Sequence, residues 1–208
     1  YAPDHSWTPI GNADTKFAGT FDGQGHSLSG IYSSSTGNLV GLFGYTSQNA
    51  TICDLKLTES YFGGKDNIGT ISAYGGGTIS RVYSNSVAYG TSSHVGGLFG
   101  LSNEPLVIEE AEFAGTAEAE VQMTGGILGY LNGVTVDMKN VVFSGITKAS
   151  RTNSTGSGGN IGGLCGYSTN QGTLHAIDCI ITGEVQHSSQ ITGGYGAAFG
   201  RVGAAGDK

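Results

Sequence analysis

Val95-Gly96-Gly97-Leu98-Phe99-Gly100-Leu101 is the stretch that decides the reading of this chain, because it returns. It occurs first as Val40-Gly41-Leu42-Phe43-Gly44-Tyr45, then again as Thr124-Gly125-Gly126-Ile127-Leu128-Gly129-Tyr130 and Ile161-Gly162-Gly163-Leu164-Cys165-Gly166-Tyr167. A weaker copy, Ile68-Gly69-Thr70-Ile71-Ser72-Ala73-Tyr74, fills the gap between the first two, and a decayed one closes the series as Gly193-Gly194-Tyr195-Gly196-Ala197-Ala198-Phe199-Gly200. The equivalent position of each phrase falls at 44, 73, 100, 129, 166 and 200, in steps of 29, 27, 29, 37 and 34 residues. Composition alone gives no such period. A repeat of this length is the signature of a stacked array.

Working outward, each phrase is followed, after a polar or glycine-rich gap, by a second apolar pattern. Examples are Thr51-Ile52-Cys53-Asp54-Leu55-Lys56-Leu57, Thr78-Ile79-Ser80-Arg81-Val82-Tyr83 and Thr173-Leu174-His175-Ala176-Ile177-Asp178-Cys179. The near-alternation of Ile52/Leu55/Leu57 and Ile79/Val82 reads as strand with one irregular step for a bulge or bend. A third short stretch often closes the unit, as in Ser86-Val87-Ala88-Tyr89 and Ala117-Glu118-Ala119-Glu120-Val121. No 3.6-residue period is sustained, and interior glycines cost a helix about 1 kcal/mol each. The expected class is therefore all-β: a β-solenoid, or parallel β-helix, of five to six coils. Right-handed coiling is the usual choice. Equivalent strands would stack about 4.8 Å apart, so six phrases would span roughly 25 Å. The whole of 1–208 reads as one domain, with 1–38 as a leading or capping segment and 39–200 as the repeats.

Thirty-eight glycines against three prolines would ordinarily suggest linker or disorder. Recurrent Tyr, Phe, Val and Ile argue instead for a folded chain. Glycine inside a strand persists where backbones approach closely or bend. On that reading Phe43, Phe99, Leu128, Cys165 and Phe199 form one internal column, and Tyr45, Tyr74, Leu101, Tyr130 and Tyr167 a second internal column at the next step.

Charged residues are only 12% of the chain, and 16 acidic against 9 basic residues give a net charge of −7. The basic residues are scattered, with no stripe to neutralise phosphates, so nucleic acid is not an expected partner. No run approaches the roughly 18 apolar residues needed to span a bilayer. Cys53, Cys165 and Cys179 show no Cys-x-x-Cys spacing and read as buried free thiols, with a Cys165–Cys179 bridge as the alternative.

The phrase, with its Gly-Leu-x-Gly core, resembles the GLUG motif of secreted and surface proteins of bacteria. The leading stretch Trp7-Thr8-Pro9-Ile10-Gly11 and Phe17-Ala18-Gly19-Thr20-Phe21-Asp22-Gly23-Gln24-Gly25-His26-Ser27-Leu28-Ser29-Gly30 is similar to the leader that commonly precedes GLUG repeats in Bacteroidetes surface proteins. The resemblance runs from Trp7 to Gly200. It implies an extracellular β-helix-like array, often a segment of a larger adhesin or a companion to an enzyme such as an IgA-type peptidase. It carries over no catalytic residue, because the motif is structural. Ile68-Gly69-Thr70-Ile71 and the terminal copy depart from the pattern.

The chemistry searched for is sparse. Gly-x-Ser-x-Gly and His-Glu-x-x-His are absent. Asp22-Gly23-Gln24-Gly25 lacks the helix a dinucleotide loop requires and reads as a turn. Ser93 and His94, being adjacent, would face opposite sides of a strand and so could not form a nucleophile–base pair. Glu110/Glu112 and Glu118/Glu120 alternate as paired carboxylates; they read as solvated strand faces, with a Ca²⁺ site or glycoside chemistry as alternatives. The long step places a polar loop over Ser144–Asn160, which reads as a flexible insertion without function, with a binding loop on a rigid scaffold as the alternative. No catalytic, cofactor-binding or metal-binding residue is assigned. The expected function is non-catalytic: adhesion or ligand display at the cell surface, outer-membrane-associated or secreted. Its partner would be an extracellular protein or glycan, and the segment would be part of a longer chain. The rival readings are an accessory segment of a larger secreted enzyme and a carbohydrate-active β-helix enzyme.

Overall fold

The computed structural model describes residues 6–150, 159–169, 171–187 and 193–203. All regular elements among them are β, and every strand pair is parallel. They form three sheets of thirteen, six and five strands. Parallel neighbours far apart in sequence, with no helical crossover between them, mean that the chain winds round and returns beside itself. This is the arrangement of a β-solenoid.

The repeat sets the register. Isolated bridges pair Ile10 with Phe43 and Phe43 with Ser72. Ladder pairs then continue from Ser72 to Phe99, Leu128, Cys165 and Phe199. Phe43, Phe99, Leu128 and Cys165 are wholly buried. The column read from the sequence is therefore a physical stack, and each large apolar member contributes about 1.5–3 kcal/mol by leaving water. Where the weak copy puts Ser72 in the column, its Oγ lies 3.1 Å from Thr46 Oγ1, so the polar substitution is satisfied within the core. Further inward columns follow the same rule. Phe21, Ile52, Ile79, Ile108 and Met138 line one wall. Leu28, Leu57, Ser84, Phe113, Phe143 and Ile181 line the next.

The glycine pairs fit this packing. A Cβ on Gly97 would run into the carbonyl oxygen of Gly126 below it and into the Phe113 ring arriving from the opposite wall. Gly126 stands in the same relation to Gly163 and Phe143. In these two phrases the second glycine is thus the floor on which a phenylalanine of the far sheet rests.

Two expectations are corrected. Tyr45, Tyr74, Leu101, Tyr130 and Tyr167 do form a ladder in register, but the tyrosines stand on the outer surface, half-exposed. The inward positions after Phe43 and Leu128 are Thr46 and Leu131, three residues on, because one step of alternation is lost across Gly44 and Gly129. The polar stretch Ser144–Asn160 is not one loop: Ile146–Ala149 is a strand paired with Thr116–Ala119 and Glu184–His187. Within that expected loop, residues 151–158 lie outside the described residues.

Candidate functional site

Non-glycine residues in the left-handed region of backbone space are uncommon, and here they form columns. Asp54, Arg81, Glu110, Asn140 and Asp178 occupy one equivalent position, with φ between 50° and 54°. Each kinks its strand between two inward residues: Ile52 and Leu55 in one turn of the chain, Ile79 and Val82 in the next, Ile108 and Ala111 in the third. At such a position an L-residue costs about 1–2 kcal/mol, and Asp or Asn is better tolerated than Arg or Glu.

The kink makes a concavity. On its far side the outward column Lys56–Tyr83–Glu112–Val142 runs in register. Between the two columns lies a trough of about 390 Å³, whose floor is the backbone over buried Leu55, Val82 and Ala111. Its charged groups are Asp54, Glu110 and Glu112 against Lys56 and Arg81. Arg81 donates from Nε and Nη2 to the two oxygens of Asp54, both at 2.7 Å. That bidentate bond holds the Asp54 carboxyl below its ordinary pKa and raises that of Arg81. Ser144 Oγ donates to Glu112 Oε1 at 2.6 Å and fixes its rotamer. Tyr83, half-exposed in the middle of the trough, makes no ring contact or side-chain hydrogen bond among the described residues.

The carboxylate pairs divide. Glu110 and Glu112 both reach this trough. Glu118 and Glu120 lie on another sheet, where Glu118 pairs with Lys148 at 2.9 Å and accepts from Ser150 Oγ, and Glu120 accepts from the Tyr89 hydroxyl. The Tyr89–Glu120 bond pushes the Tyr89 pKa up to about 12. These are half-buried groups tied to neighbouring side chains. Sequence reasoning missed Lys56, and Arg81 and Tyr83 of the following turn, which Lys56 meets only across the ladder.

Other candidates are limited by their partners. Asp22, Cys53 and Asp54 bring three potential ligand atoms within 4.8 Å of one another. Burial raises the Cys53 pKa, away from the thiolate a metal needs, and Asp54 already holds Arg81. His94 is not in a strand but at a left-handed bend, with φ 60°. Its ring stacks on Tyr130 at 4.9 Å and Nδ1 lies 3.0 Å from Asn67 Oδ1; burial lowers its pKa. Cys165 and Cys179 are both free thiols, so the bridge held open from the sequence is not formed.

The outward tyrosines of the ladder and of the neighbouring six-stranded sheet have ring or cation partners. His94, Tyr130 and Tyr167 stack in turn, Tyr32 stacks on Tyr61, and Lys16 covers Tyr45 at 4.4 Å from the ring centroid. Such columns present ring edges and hydroxyls to solvent. They brace the surface more than they offer it.

Fold and surface together define an all-β parallel solenoid that carries a concave polar trough on one of its sheets. No family model matches the chain. A stretch of 80 residues is 32% identical to a protein of Evansella cellulosilytica described as a "Putative Gly-rich membrane protein", covering 36% of this chain and 9% of that one. A stretch of 112 residues is 30% identical to "Halomucin" of Haloquadratum walsbyi, covering 53% of this chain and 1% of that one. The chain thus spans only a small part of these relatives. In three dimensions it is similar to a solved structure from Bacteroides ovatus titled a "putative immunoglobulin A1 protease". The TM-score is 0.56 at 14% identity, over 89% of this chain and 74% of the other. That likeness is one of fold. Among the described residues no helix is long and apolar enough to cross a membrane.

Proposed function

We propose that this chain is a non-catalytic repeat module of the GLUG type, a right-handed β-helix of five to six coils that displays a binding face at the cell surface or in secreted form. The observation that carries the reading is the stacked core. Wholly buried residues recur at the same place in successive turns, which makes a stiff rod whose outward columns are free to vary without disturbing it. Ligand display needs such a scaffold. The names of the two relatives, a membrane protein and a mucin, support a surface setting. The test is adhesion of the labelled chain to immobilised mucins, matrix proteins and glycans. Saturable binding to one class is expected, and uniformly blank surfaces would remove the reading.

A second reading, an accessory segment of a larger secreted enzyme, is favoured by the fold likeness to a structure named as a protease. It predicts that the neighbouring domains of the full-length protein include a catalytic one. A chain whose neighbours are all repeats would retire it.

A further inference from the structure

The geometry points to a ligand for the trough between the left-handed column and the Lys56–Tyr83–Glu112 column: an extended, uncharged glycan lying along the solenoid axis. This deepens the display reading and rests on it, by naming the face and the class of molecule displayed to.

Four observations select that class. The trough is regular in spacing: one polar side chain, Asp54, Arg81, Glu110 or Asn140 in turn, falls at the same ladder position in each turn, so three steps cover roughly 14 Å. A polymer with a short repeat meets the same kind of side-chain position at each step. Second, the charges are mixed, with three carboxylates facing two cations. Asp54 and Arg81 neutralise each other, so a polyuronate or sulfated chain would be repelled by Glu110 and Glu112, and a polycation by Lys56. Sugar hydroxyls both donate and accept, so they suit carboxylates and cations alike. Third, the floor is the outer face of a parallel sheet, whose N–H and C=O groups bond sideways to neighbouring strands. An incoming peptide strand finds no backbone partners there, so contacts must come from side chains. Fourth, Tyr83 stands in the middle with no ring partner, unlike the stacked tyrosines of the outer ladder. A partly exposed aromatic ring among hydrogen-bonding groups is a surface against which the apolar C–H face of a pyranose packs.

The site is also prepared in advance. The bidentate Asp54–Arg81 pair and the Ser144–Glu112 bond fix three polar groups before any ligand arrives, which lowers the ordering cost of binding. Left-handed backbone at Arg81 and Glu110 is a conformational strain that the fold maintains on this face.

The experiment is calorimetric titration of the full chain with cellohexaose, mannohexaose and xylohexaose as neutral probes, and hexagalacturonate as the charged one. At least one neutral hexasaccharide is expected to bind, with hexagalacturonate much weaker. Tyr83→Ala should weaken that binding about tenfold or more, Tyr83→Phe should retain it, and Tyr45→Ala on the outer ladder should leave it unchanged. Glu110→Gln, which preserves shape, should weaken it and guards against a folding defect in Tyr83→Ala. Binding by no neutral probe, equal binding of the uronate, or indifference to both Tyr83→Ala and Glu110→Gln would overturn the assignment. Should the chain adhere to mucin or glycan surfaces while no neutral hexasaccharide competes, the trough assignment falls and the display reading stands. Should a hexasaccharide bind through Tyr83 while the chain adheres to no surface, the display reading falls and the trough remains a glycan site.

Discussion

Lys16 and Glu104, 88 residues apart in sequence, form an ion pair at 2.6 Å that reaches across the turns of chain between them. Glu104 sits in an irregularity of the strand Phe99–Glu109, where the register with Ser72–Ser84 shifts between Ser102 and Leu106. The displaced residues lie over Gly75-Gly76-Gly77, where a Cβ on Gly76 would be 2.5 Å from Pro105 O and 2.7 Å from Glu104 Cβ. The second carboxylate oxygen accepts from the backbone N–H of Gln48 at 2.8 Å. One side chain thus straps the leading turns to a later one. Partial burial works against its charge, yet the Lys16 and Gln48 bonds outweigh that and hold its pKa below the ordinary value.

A depressed carboxylate pKa stabilises the fold above the unfolded-state value, and the contribution disappears as pH falls through the folded value. Glu104→Gln should therefore lower the thermal midpoint at neutral pH. The gap to the parent should close in acid, below the usual carboxylate range. Coincident melting curves at neutral pH would show that the strap contributes nothing, and a gap that stays constant from pH 7 down to 3 would show that the carboxylate charge is not its source.

Gly97→Ala adds a single methyl group but should destabilise the chain by about 1–3 kcal/mol, because the site is already filled from two directions. Phe113→Leu would free the ring side only. The carbonyl oxygen of Gly126 remains in the way, so the double variant should not recover the parent stability. Urea denaturation of the four proteins measures this. Full recovery in the double variant would mean that Gly126 yields and the ring alone matters.

Phe143→Ala should cost about 3–5 kcal/mol, since the ring is fully buried and packs against Gly126 and Gly183 from the far wall. A loss below about 1 kcal/mol in chemical denaturation would mean that the wall collapses onto the gap.

His94 is held neutral by burial between Asn67 and Tyr130. Its folded pKa lies below the unfolded value of about 6.5, so its cost to stability is absent above that pH and grows as pH falls toward the folded value. The parent should lose stability between neutrality and mild acid, and His94→Gln should flatten that slope. Identical slopes in the two proteins would remove His94 as the cause.

Thiol reactivity should rank the cysteines. Complete burial pushes Cys165 up to about 12, while Cys179 is half-buried near the last turns. Native protein should label first at Cys179, and Cys165 should label only on unfolding. Modification of Cys165 in native buffer would place that residue outside the stack.

Much of the core was legible before any coordinates. Stacking a coil on its copy forces like residues together, so Phe43, Phe99, Leu128 and Cys165 declared themselves by recurrence and are one buried column. The face of the neighbouring tyrosines was not legible. A period-two reading carries Tyr45 and Tyr130 inward, and the loss of one step at a glycine turns them out. The strand Ile146–Ala149 was hidden for a different reason: a polar composition suits an outer sheet face as well as a loop.

The sequence by itself determined the period, the all-β class and the identity of the stacked column, because these depend on residues that repeat along the chain. Only the tertiary structure decided the trough and the strap. Asp54, Tyr83, Glu110 and Asn140 come from separate turns, and Lys16 meets Glu104 only because a bulge passes over three glycines. Winding converts a separation of nearly thirty residues into one strand spacing, roughly 4.8 Å. Side chains with no local relationship therefore become neighbours, and no window along the chain displays them together.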